Sequence, residues 1–258
     1  MTIRSSLSLA IVASLAHASL APSVMHDDPE PRVVTPGANP GIAPPPSDAI
    51  VLFDGTSLEQ WTTTDGKPAA WKPEGKAGGS MTIAPGSGSI LTKKTFGDAQ
   101  IHVEFCEPDP GPAGKDQPTG QARGNSGVYI QNRYEVQVLD SFKSSTYPDG
   151  QCAAIYKKHA PLVNACRPPG EWQTYDIVFH APRFDAAGKK TANARITVLH
   201  NGVLVQDNAE VDGATGSAAD ANEAPGPGPI YLQDHGNAVK YRNIWVRELG
   251  APARPARQ

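Results

Sequence analysis

Period-two alternation of apolar and polar positions recurs along the chain from Asp48 to Leu249. Ile101, Val103 and Phe105 alternate with His102 and Glu104. Tyr134, Val136 and Val138 alternate with Glu135, Gln137 and Leu139. Tyr175, Ile177 and Phe179 alternate with Thr174, Asp176 and Val178. The same rhythm returns at Ile196 and Val198, and again at Ile244 and Val246. β-Branched and aromatic residues fill these runs, so each predicts a strand with one buried face. Asn201-Gly202 stands between Arg195–His200 and Val203–Gln206 and predicts a two-residue hairpin turn, because a type I′ turn needs positive φ at both central positions. No window of helical length carries a clean 3.6-residue repeat. Strands at short spacing without intervening helices predict an all-β sandwich or barrel.

Composition divides the chain further. Gly and Pro number 25 each among 258 residues, and hydrophobic residues make up 39%. Eight of the prolines lie between Pro22 and Pro46, ending in Pro44-Pro45-Pro46. Proline fixes φ and offers no N–H, so residues 19–47 read as a solvated, disordered linker; an ordered arm wrapped onto the domain is the other reading. Arg4, the uncharged apolar stretch Leu7 to Leu20 and Ala16-His17-Ala18 form the pattern of a cleavable leader, which predicts a signal peptide over 1–18 and export. That stretch is too short for an ordinary transmembrane helix, so no integral membrane segment is expected after cleavage. Gly/Pro blocks at 108–124 and 213–229 predict long surface loops. Residues 251–258 read as a frayed tail, which leaves 48–250 as one domain.

The formal net charge of −3 and the absence of a basic run argue against nucleic-acid binding. Cys152 and Cys166 enclose a short loop and are expected to pair as a disulfide in an exported protein, with Cys106 left over. No Cys-x-x-Cys, His-Glu-x-x-His, Gly-x-Ser-x-Gly or Ser-x-x-Lys motif occurs, and no loop carries a series of calcium ligands. No metal or cofactor is therefore expected.

Three motifs offer chemistry. In Tyr134–Asp140, Glu135 and Gln137 share a sheet face opposite Tyr134, Val136 and Val138. A carboxylate and an amide so placed can hold sugar hydroxyls or move a proton; a solvated outer face gives the same pattern. Asp140 follows at the strand end, where a bulge could redirect it. Gly124-Asn125-Ser126-Gly127 enters a strand with glycines that permit close approach or form a bulge. Gln233-Asp234-His235-Gly236 sets an imidazole beside a carboxylate in a turn, which suits acid/base work or simple turn capping. Trp172 reads as core, or as a platform for a sugar face.

Taken together, several motifs resemble the 3-keto-disaccharide hydrolase domain family. They are Leu52-Phe53-Asp54-Gly55-Thr56-Ser57-Leu58-Glu59-Gln60-Trp61, Gly124–Ile130, Tyr134–Ser141, Pro169–Asp176, Gly228–Gly236 and Tyr241–Trp245, and they span about 48–249. The resemblance implies a two-sheet antiparallel jelly-roll sandwich of the concanavalin A-like lectin/glucanase type with a carbohydrate-binding concave face. It implies cleavage of 3-keto-glycosides. A C3 ketone acidifies the C2 proton, a base removes it, the resulting enolate expels the C1 substituent, and water adds to the product. That chemistry needs one base and donors for the enolate oxygen, whereas an ordinary glycosidase needs two flanking carboxylates. Glu135 with Asp140 would serve the second scheme, and Glu135 or His235 the first. Gln137, Asp234, Asn125, Gln233 and Tyr156 are the expected substrate-binding residues, with Asp234 orienting His235. Two other readings are a non-catalytic carbohydrate-binding module and a cell-surface interaction domain on a proline-rich stem.

Overall fold

The computed structural model describes residues 29–112, 117–216 and 222–250. The predicted leader (1–18) and tail (251–258) lie outside the described residues. The fold is the expected all-β, two-sheet antiparallel sandwich. An eight-stranded sheet runs in the order Val203–Val211, Ala194–His200, Gln173–His180, Ala99–Cys106, Lys240–Glu248, Met81–Thr82, Lys72–Pro73, with Ile50–Phe53 also paired to Lys240–Glu248. A five-stranded sheet runs Trp61–Thr63, Ile90–Phe96, Gly228–Leu232, Ser126–Ile130, Tyr134–Val138. The predicted alternation sets the packing. Ile101, Val103, Phe105, Ile177 and Phe179 face Val128, Tyr134, Val136 and Ile230 in one buried cluster. The Tyr134 and Phe179 rings meet with centroids 5.5 Å apart. Asn201 and Gly202 form the predicted turn, with φ of 53° and 78° and His200 paired to Val203. Among the described residues no helix is long and apolar enough to cross a membrane.

Of the expected linker, residues 19–28 lie outside the described residues; residues 29–47 are not a free linker but the ordered arm of the other reading, lying against the domain. Arg32–Val33 pairs in parallel with Val163–Asn164. Further along, the carbonyl of Gly37 accepts from Arg167 Nη2 at 2.6 Å, and that of Ala43 accepts from Asn243 Nδ2 at 3.0 Å. Proline removes donors but leaves carbonyls, and side-chain donors of the sandwich meet them.

The arm crosses the outer face of the eight-stranded sheet and helps cover a polar cluster there. His102 Nδ1 lies 2.7 Å from Asp176 Oδ1, and its ring stacks on Trp245 with centroids 5.1 Å apart. Glu104 accepts from Arg242 Nε at 2.7 Å and from Asn243 Nδ2 at 2.8 Å. The Arg242 guanidinium lies 3.9 Å from the centre of the half-buried Trp172 ring. Trp172 is therefore neither interior nor part of the cleft described below. Burial works against a charge on His102, but the hydrogen bonds to Asp176 and Glu104 outweigh it and raise its pKa to about 9. A raised histidine pKa contributes stability that is complete below about pH 6.5 and is lost as pH climbs through 9. Asp176 is partly open to solvent, which discounts the effect to about 2 kcal/mol. Urea denaturation is expected to show stability falling by that amount between pH 6.5 and 9. His102→Gln should flatten the slope and lower stability at pH 6; an unchanged slope would remove His102 as its source.

Candidate functional site

Tyr134–Val138 ends the five-stranded sheet. One of its edges pairs with Ser126–Ile130; the other is closed by an irregular loop. Gln137 N donates to Ala154 O at 2.9 Å, Ala153 N to Gln137 O at 2.9 Å, and Tyr156 N to Glu135 O at 3.1 Å. Thr215 Oγ1 accepts from Glu135 N at 3.2 Å. This docking carries Tyr147 and Tyr156 to the outer face of the sheet, where Glu135 and Gln137 point because the even-numbered residues take the core. The result is a cleft of about 100 Å³ lined by Glu135, Gln137, Asn125, Gln233, His235 and Tyr156, together with Gln121 and Tyr147.

Space for the carboxylate comes from a glycine. Gly127 sits opposite Gln137 in register, and a Cβ on it would lie 2.5 Å from Glu135 Oε1 and 2.8 Å from Tyr129 Cε2. Gly127→Ala must therefore displace Glu135 or Tyr129. Stability is expected to fall by about 1–3 kcal/mol from overpacking. A thermal melt beside the wild-type chain checks it.

The other walls are neutral and polar. Gln137 Nε2 donates to Gln121 Oε1 at 3.0 Å, and Gln233 Nε2 to Tyr129 OH at 3.0 Å. Both glutamines keep a buried Oε1 without a hydrogen-bond partner, which suits acceptance of ligand hydroxyls. Asn125 Nδ2 donates to Gln121 O at 2.7 Å. The Tyr147 and Tyr156 hydroxyls are 2.7 Å apart. Burial, the bond to Tyr156 and the nearby Asp149 and Glu135 carboxylates push the Tyr147 phenol up, so it stays protonated and can donate. His235 stands exposed at the rim.

Three expectations are corrected. Asp140 does not join Glu135 in the cleft. It lies beyond the strand end, buried, with Oδ2 2.5 Å from Arg123 Nε and Oδ1 accepting from Phe142 N. Asp234 does not orient His235, because its oxygens accept from the backbone N–H groups of Gly236 (2.9 Å) and Gly88 (3.0 Å) and so brace the turn. Cys152 and Cys166 are free buried thiols rather than a disulfide. Their sulfurs come within 4.8 Å of each other, and Cys152 Sγ lies 3.0 Å from Tyr175 OH. Gln121 and Tyr147 escaped the sequence reading. Gln121 carried no local signal. Tyr147, just before Pro148 and in a run without periodicity, offered only an aromatic in a loop.

The model of the 3-keto-alpha-glucoside-1,2-lyase-like domain matches residues 48–247. The chain belongs to this family. The 3-keto-alpha-glucoside-1,2-lyase-like domain thus takes in both sheets and every residue of the cleft. Among solved structures, a candidate glycosyl hydrolase from Parabacteroides distasonis is 42% identical, with a TM-score of 0.72 over 86% of this chain and 93% of that one. Two further candidate glycosyl hydrolases from the same organism share the fold at 18% and 22% identity. Their TM-scores are 0.55 and 0.50, over 79% and 78% of this chain and 94% and 99% of theirs. A search of curated proteins found no match. The family and the fold place the chain among carbohydrate-active, glycosyl hydrolase-like proteins.

Proposed function

We propose that the protein is an exported enzyme that cleaves 3-keto-glycosides by removing the proton at C2 and expelling the substituent at C1. One observation carries this reading: among the described residues, Glu135 is the one carboxylate lining the cleft, set among amides and phenols. The nearest carboxyl in sequence, Asp140, is held by Arg123 outside it. Direct glycoside hydrolysis calls for two carboxylates across the scissile bond, whereas elimination beside a ketone calls for one base and donors to the enolate oxygen. Glu135 takes the C2 proton in this scheme. The electron pair moves into the enolate at C3, the C1–O bond breaks, and the departing oxygen collects a proton, for which His235 at the rim is the donor. Gln137, Gln233 and Asn125 hold hydroxyls, and Tyr147 or Tyr156 donates to the enolate oxygen. Water then adds to the unsaturated sugar. The leader-like pattern over residues 1–18 supports export.

A panel of 3-keto-glycosides assayed beside their unoxidised parents tests the proposal. Release of the C1 substituent from the keto forms alone, with deuterium from heavy water entering at C2, is expected. Equal cleavage of the parents, or sugar binding without turnover of either, overturns it.

A further inference from the structure

Behind the cleft, in the interior of the sandwich, Cys152, Cys166 and His200 each present a donor atom, and the three atoms lie within 4.8 Å of one another. All three residues are buried, His200 completely. Two thiols and an imidazole meeting in the interior call for a reason, since a buried polar atom is costly unless it is partnered. The hydrogen bonding around His200 supplies one. Gln173 Nε2 donates to Glu107 Oε2 at 3.2 Å and to Arg167 O at 3.1 Å, which fixes its amide so that Oε1 faces the other way. That Oε1 lies 3.0 Å from His200 Nε2, so Nε2 carries the proton and donates. Nδ1 is left as a bare, fully buried nitrogen without a partner. This is the arrangement of a ligating histidine, in which one ring nitrogen is tethered to an acceptor itself held by a carboxyl group and the other offers its lone pair.

We propose that Cys152, Cys166 and His200 form a binding site for one thiophilic closed-shell cation, Cu(I) or Zn(II). Two sulfurs and one imidazole nitrogen suit both ions. The thiols give up two protons as the metal–sulfur bonds form, and no electron is transferred. Tyr175, whose hydroxyl lies 3.0 Å from Cys152 Sγ, also donates to Gln137 O at 2.5 Å, the backbone of the cleft strand. Ala153, next to Cys152, donates to the same carbonyl. The ion therefore clips the loop bearing Tyr147 and Tyr156 to strand Ala194–His200 and steadies that wall of the cleft. This assignment does not depend on the reaction proposed above.

The test uses the full chain, purified under reducing conditions without chelator and examined by native mass spectrometry after addition of buffered Cu(I) or of Zn(II). One ion retained per chain, a rise in melting temperature on loading, and an X-ray absorption shell of two sulfurs and one nitrogen are expected; the arm that binds identifies the ion. Gln173→Leu should weaken binding by about 10–100-fold, and His200→Ala and Cys166→Ser by more. If the ligand variants do not fold, the wild-type spectrum decides. A wild-type chain that retains no ion overturns the site. So does a chain isolated lighter by two hydrogens, with Cys152 joined to Cys166, or equal affinity in folded His200→Ala.

Discussion

Glu135→Gln is expected to reduce turnover of a 3-keto-glycoside by about 10²–10⁴-fold, the range seen when a general base is lost. The amide has the volume of the carboxylate and can use the space that Gly127 leaves open. Two backbone hydrogen bonds anchor the strand here whatever the side chain, from Glu135 N to Thr215 and from Tyr156 N to Glu135 O. Folding should survive, and KM should change far less than kcat, because Gln137, Gln233 and Asn125 still bind hydroxyls. His235→Ala should cost less, since an exposed rim group that protonates a leaving oxygen can be replaced in part by water. Full activity in both variants would remove the two residues from the chemistry. A large rise in KM at constant kcat would recast Glu135 as a binding residue.

How much of this arrangement could be read from the sequence depended on whether period-two logic applied. The strands Ala99–Cys106, Tyr134–Val138, Gln173–His180 and Ala194–His200 appeared in the alternation because one face of each packs into the core. The same logic put Glu135 and Gln137 on a shared face. It did not reveal that both are buried, since their cover is supplied by a loop and by Thr215, far along the chain. Gln121 and Tyr147 reach the cleft through non-periodic segments whose course is set by tertiary contacts, such as Gln121 Nε2 donating to Gly150 O at 2.8 Å. The proline-rich arm was misread for a related reason. Composition reports few donors, but partners more than a hundred residues away hold it: Arg167 and Asn243 donate to its carbonyls, and its own Val34 N and Asn39 Nδ2 donate to Asn164 O and Trp172 O. Asp140 was misplaced because strand parity ends at Val138, after which a hydrogen bond from Asp140 N to Arg123 O sets the direction of the chain.

Arg123→Ala is expected to destabilise the protein by about 3–5 kcal/mol, the usual consequence of stripping one partner from a buried ion pair. Asp140 is 1% exposed. Burial pushes its carboxyl up, and the Arg123 guanidinium draws it back. Without the arginine the group must take a proton or keep an uncompensated charge. Asp140→Asn leaves Arg123 partly exposed and able to reach water, so it should be the milder change. Combining Arg123→Leu with Asp140→Asn should recover much of the loss, because a neutral pair no longer carries the desolvation penalty of a lone charge. Denaturant unfolding of the three variants at pH 7 supplies the comparison. The same set assigns Asp140 its role. Arg123 lies between Gln121 and Asn125, so the pair holds the segment that brings these two side chains to the cleft. If Asp140 acts only by holding that segment, folded Asp140→Asn should keep kcat within a few-fold of wild type and show its main effect on KM. A loss of kcat as deep as that of Glu135→Gln would return Asp140 to the chemistry and, with it, the two-carboxylate mechanism of an ordinary glycosidase.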